Sequence, residues 1–127
     1  MSIKFNVVQR GNPAKPNAPK KYYPSIQSSG RMSLYELAEE ASSRSTLTPA
    51  DMMAAVESIL AIIPEQLARG NIVELGDFGN FWLRTTSDGA EQAQDVRGDQ
   101  ITSLLPRFNP GKRFKRALRN VRFEKIR

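Results

Sequence analysis

The chain of 127 residues contains no cysteine and no histidine. Without cysteine the fold needs no oxidising compartment and has no thiolate zinc site. Without histidine, and without a phosphate-cradling glycine loop ending in Lys-Ser or Lys-Thr, the commonest catalytic bases, nucleophiles and nucleotide grips are missing. Glu39 and Glu40 are adjacent, point to different faces of a helix and read as solvated charges. Asp88, Glu91, Asp95 and Asp99 lack the loop spacing of a calcium site. The chain therefore reads as a non-enzyme, with no catalytic residue, metal site, cofactor or small-molecule substrate expected. No apolar run approaches the ~20 residues of a membrane span, and the N-terminus lacks a signal-peptide core. A cytoplasmic protein is the expectation.

What is present is charge, unevenly placed. The formal net charge is +6, but residues 1–31 hold six basic and no acidic groups, and residues 107–127 hold nine against one. Residues 32–83 hold two basic and eight acidic groups, and residues 84–106 two and four. The two ends, rather than the whole molecule, attract a polyanion. A basic stretch from Lys112 to Arg122 also raises membrane association, but its apolar face is narrow and lacks Trp, which argues against a membrane partner. The length suits one domain with an appendage: a basic, proline-rich extension over 1–31 and a domain over 32–127.

In the extension, Ile3, Phe5 and Val7 alternate with Lys4 and Asn6, which predicts a short strand. Gly11 to Pro24 holds four of the chain's eight prolines with Lys15, Lys20 and Lys21, and reads as an extended strap. Two readings stay open, a solubilising tail and an arm lying on nucleic acid through Lys20 and Lys21. Tyr22 and Tyr23 have rings able to stack on bases, although such a pair more often packs on its own domain.

From Ser33 the pattern turns helical. Ser33 and Glu36 form a capping box, and Leu34, Leu37, Ala38 and Ala41 recur at helical spacing as far as Ser42 and Ser43. A second helix starts at Thr48-Pro49-Ala50-Asp51 and runs to Gly70, with Pro64 inside it as an expected bend. Met52, Val56, Ile59, Leu60, Ile63 and Leu67 mark one face, which Met53 and Ile62 widen. That surface is broader than one short helix covers, so burial against a second copy is expected.

Two motifs follow. Leu75-Gly76-Asp77-Phe78-Gly79-Asn80-Phe81 sits between short strands at 72–75 and 81–84 and reads as a tight β-turn pivoted on its glycines. In Arg107-Phe108-Asn109-Pro110-Gly111-Lys112, Asn109 is expected to cap a helix over Pro110 to Arg119, leaving free N–H groups beside Lys112 and Arg113 as a phosphate site. Phe114, Ala117, Leu118 and Val121 share one side of that helix, and Lys112, Arg113, Lys115, Arg116, Arg119 and Arg122 take the rest. Between the motifs, two strands with a polar, acidic tip predict a hairpin arm. After Asn120 a closing strand is expected to pair with the N-terminal one.

This order of helix, longer helix, glycine turn, hairpin and basic C-terminal helix resembles the HU/IHF family of bacterial histone-like DNA-binding proteins over residues 32 to about 122. Gly70, Val73, Leu75 to Phe81, Arg84, and Phe108 with Pro110-Gly111-Lys112 carry the resemblance. The basic extension is similar to that of HU-like variants from Bacteroidetes. The resemblance implies an α+β fold in an intertwined homodimer, helices forming a base and two arms reaching around the minor groove of double-stranded DNA in the nucleoid. Typical members bend DNA without reading much sequence. Carried over by position, Arg84 matches the basic residue after the glycine turn, and Arg107, Lys112, Arg113 and Arg116 match the phosphate-contacting flank and first turns of the last helix. Lys115, Arg119 and Arg97 complete the expected DNA-contacting set. The arm departs from the family: it carries Asp88, Glu91, Asp95 and Asp99 against Arg97, with no proline between Arg84 and Leu105. Unstacking base steps costs a few kcal/mol each and needs a wedge, for which Val96 is the sole sizeable apolar side chain near the tip. Weaker bending than usual is expected, and the alternative is an interaction protein on the same dimeric scaffold that has lost DNA wrapping.

Overall fold

A computed structural model describes residues 1–126. Among the described residues, three α-helices and six strands fall into two units: Met1–Ser33 with Leu118–Arg127, and Leu34–Ala117. The last segment of the chain, kept with the second domain in the sequence reading, thus joins the N-terminal residues.

In the first unit the alternating N-terminal residues form β1 (Ser2–Arg10), the centre of a three-stranded sheet. It pairs antiparallel with β2 (Lys21–Ile26) and parallel with β6 (Arg122–Lys125), the closing strand. The register sets Phe5 opposite Ile26, Val7 opposite Pro24 and Ile3 opposite Phe123, which makes one face apolar. Contrary to expectation, the proline-rich strap is not extended throughout but is the connection and second strand of a hairpin. Two successive turns, closed by Lys15 N–H to the Asn12 carbonyl and Ala18 N–H to the Lys15 carbonyl, both at 3.0 Å, reverse the chain. Tyr22, Tyr23 and Pro24 then lie in β2, an edge strand, which is where a residue without an N–H is tolerated.

The second unit begins with α1 (Leu34–Ser43) and α2 (Pro49–Ala68). Thr48 caps α2, its hydroxyl accepting the Asp51 N–H at 3.1 Å, with Pro49 at the first turn as expected. Gly70 follows the C-terminal end of the helix with φ 89°, a left-handed position. Next come β3 (Val73–Glu74), β4 (Gly79–Ser87) and β5 (Ile101–Pro110), an antiparallel sheet in that order. The glycine turn is a single 3-10 turn at Gly76–Phe78, with φ 59° at Gly76 and 150° at Gly79. The ladder of β4 and β5 runs from Gly79↔Pro110 to Ser87↔Ile101, longer on both strands than expected. Thr86 extends it by bonding the Thr102 hydroxyl at 2.9 Å and that of Ser103.

That ladder also overturns the expected start of the last helix. Asn109 and Pro110 are strand residues paired with Asn80 and Gly79, so Asn109 is not a helix cap. The helix, α3 (Lys112–Ala117), has six residues and ends before Arg119. Its first turn is closed by Lys115 N–H to the Gly111 carbonyl at 3.1 Å.

Candidate nucleic-acid interface

Four phenylalanines position α3. Phe114 meets Phe78 edge-on at 5.1 Å between centroids and Phe108 at 5.8 Å, and Phe108 in turn meets Phe81 at 4.9 Å. Such pairs contribute about 0.5–1.5 kcal/mol each beyond the area they bury. With Phe114 turned inward, Lys112, Arg113, Lys115 and Arg116 are all exposed. They form a short cationic platform held from beneath.

A second pair of cations lies on the sheet. Arg107 is directly opposite Trp82, and Arg84 is opposite Leu105, so all four share one face. Arg84 and Arg107 are diagonal neighbours, a separation of about 7–8 Å between such positions. Both are exposed. Phe81 and Phe108 alternate onto the opposite face, so the sheet separates these arginines from the aromatic cluster that anchors α3. The expected residues are therefore brought together as two groups rather than one.

The remaining candidates lie elsewhere. Arg97 is exposed in the 88–100 connection, where its N–H is bonded to the Gln100 side chain at 2.6 Å, among exposed Asp88, Glu91, Asp95 and Asp99. Val96 is 65% exposed at the same tip. Arg119 falls in the turn after α3 and belongs to the first unit, as do Lys20 and Lys21 at the hairpin end. Among the described residues the one ion pair is Arg44 with Glu40 at 2.8 Å, so none of these cations is neutralised by a carboxylate. Among those residues, too, no group of Asp and Glu is placed to hold a metal ion, and no helix is long and apolar enough to cross a membrane.

Arg10, not singled out in the sequence, lies directly opposite Lys21 across the hairpin, and Lys15 of the basic strap lines a cavity with both. The signal was the distribution of charge: the first unit has ten basic residues and one acidic, whereas the second has nine and twelve. Net charges of +9 and −3 follow, so the excess cationic charge is in the first unit.

The HU-HIG family, described as an HU domain fused to wHTH, Ig, or glycine-rich motif, matches residues 1–125. DNA-binding protein HU of Streptococcus thermophilus is 36% identical over 77 residues, which cover 58% of this chain and 82% of that protein. The corresponding protein of Streptococcus gordonii is 30% identical over 88 residues, 66% of this chain and 94% of that protein. In fold, the chain is similar to a crystal structure assigned to a bacterial DNA-binding protein of Bacteroides vulgatus, with a TM-score of 0.66 and 13% identity. That likeness covers 98% of this chain but 48% of the other, so the chain spans about half the length of that protein.

Proposed function

This chain belongs to the HU-HIG family of HU domains, and from that premise we propose that it is a nucleoid-associated, histone-like protein that binds duplex DNA with little regard to sequence. The observation that carries the reading is the α3 platform, where four exposed cations without carboxylate partners sit on a helix fixed by Phe114. Each phosphate neutralised by such a group releases condensed counterions and contributes about 0.9 to the logarithmic salt slope. Arg84 and Arg107 add a second contact from the sheet. A six-residue helix dominated by Lys and Arg offers no Asn or Gln set for reading base edges, which supports sequence tolerance. Two streptococcal relatives named DNA-binding protein HU support the same ligand.

The protein acts as a dimer in this reading. Within the chain, Ala38 and Leu67 are the buried hydrophobic residues among those described, while Ile59, Leu60 and Ile62 on α2 remain about half exposed. A 20-residue helix with so much apolar surface open to water is poorly accounted for by one copy. The arms bend DNA less than those of typical members, because four acids repel phosphate and Val96 is a small wedge. The role requires no catalysis.

Titration of two unrelated duplexes with the full chain at low salt tests the reading. Comparable, saturable binding to both is expected. Failure to bind either leaves the alternative, an interaction protein on the same scaffold.

A further inference from the structure

The end of the β1–β2 hairpin concentrates positive charge in a way that β-sheet packing alone disfavours. Arg10 and Lys21 are directly paired across the antiparallel strands. Side chains so paired emerge on one face with Cβ atoms about 4.5–5.5 Å apart, and like charges in that relation are destabilising. Among the described residues neither forms an ion pair with a carboxylate. The single acid of the unit, Glu124, is opposite Lys4, six residues back along β1, which is about 20 Å away.

Beside the pair lies a cavity of about 260 Å³ whose lining includes Arg10, Asn12, Lys15, Lys21 and Tyr23, with no acidic residue. Lys15 is set there by the local chain. Its N–H donates to the Asn12 carbonyl and its own carbonyl accepts the Ala18 N–H, while the Asn12 side chain accepts the Ala14 N–H at 3.0 Å. Three cations are thus presented around one hollow, and the exposed Lys20 adjoins Lys21 in the chain. An anion between them converts mutual repulsion into attraction to a shared partner. A guanidinium fork suits phosphate oxygens, and lysines supply point charges beside it.

We infer that this hairpin end is a second DNA-phosphate site, formed by Arg10, Lys15 and Lys21 and distinct from the α3 platform. It rests on the reading of the chain as a duplex-DNA binder, and it assigns to the first unit a direct part in that binding. A unit of net +9 then does more than keep the protein in solution.

The test is the salt dependence of binding to a random-sequence duplex, for the full-length wild type and an Arg10→Ser/Lys15→Ser/Lys21→Ser variant. The wild type binds, and the variant's logarithmic salt slope is lower by about 2–3 per chain, at about 0.9 for each lost contact. Lys15→Ser alone, in the turn outside the ladder, lowers it by about one and serves if the triple variant does not fold. Wild-type binding with the same slope in both variants overturns this site and leaves the DNA-binding reading intact. A wild type that binds no duplex overturns that reading and this site with it. Capture of polyglutamate in preference to duplex, lost in the triple variant, would assign the hollow to acidic protein and contradict the inference.

Discussion

Gly111 donates its N–H to the Phe78 carbonyl at 2.8 Å, and a Cβ built on Gly111 would overlap the carbonyl oxygen of Asp77. The two glycine-containing motifs are therefore in backbone contact through residues 33 positions apart in sequence. Any side chain at 111 must push the strand end and the 3-10 turn apart. Gly111→Ala is expected to lose about 2 kcal/mol or more, read by chemical denaturation at fixed protein concentration. An unchanged midpoint would show that the contact bears little on stability.

The two helices at 34–43 and 49–68 were legible because caps and periodicity are local: Thr48, Pro49, Asp51 and Gly70 sit where capping rules place them. The closing strand was legible as well, from the loss of helical spacing after Asn120. The start of α3 was not. Asn109-Pro110 satisfies the local rules for a helix start, yet pairing with Asn80 and Gly79 and the packing of Phe108 on Phe81 hold it in a strand. Hairpin pairing hid Arg10 in the same way. Its relation to Lys21 crosses a ten-residue connection that composition alone describes only as proline-rich and basic.

Charge reversal on the α3 platform separates binding from folding. Arg113 and Arg116 are exposed, so Arg113→Glu/Arg116→Glu should leave the thermal midpoint within a few degrees. Duplex affinity at moderate salt should fall tenfold or more, with a salt slope lower by about two per chain. Anisotropy titration measures both. Unchanged affinity would move the contact away from α3.

The acidic arm tip is expected to oppose binding. Glu91→Gln/Asp95→Asn removes two exposed negative charges and should tighten duplex binding several-fold at low salt, with the gain fading as salt screens it. Weaker binding would mean that these carboxylates face a basic partner instead.

In the proposed dimer, covering the half-exposed Ile59, Leu60 and Ile62 links folding to association. The thermal midpoint should rise with protein concentration, and sedimentation should give a mass twice that of the 14.2 kDa chain. Trp82 is the sole tryptophan, and its indole nitrogen is buried, so its emission follows unfolding. A concentration-independent midpoint at monomer mass would contradict the dimer.

The most direct measurement is the affinity of the full chain for duplexes of unrelated sequence across a series of salt concentrations. Phosphate contact through exposed Lys and Arg predicts near-equal affinities for all of them and a linear fall of log K with log salt, at about 0.9 per contact. Absence of binding at low salt, or binding indifferent to salt, would contradict it.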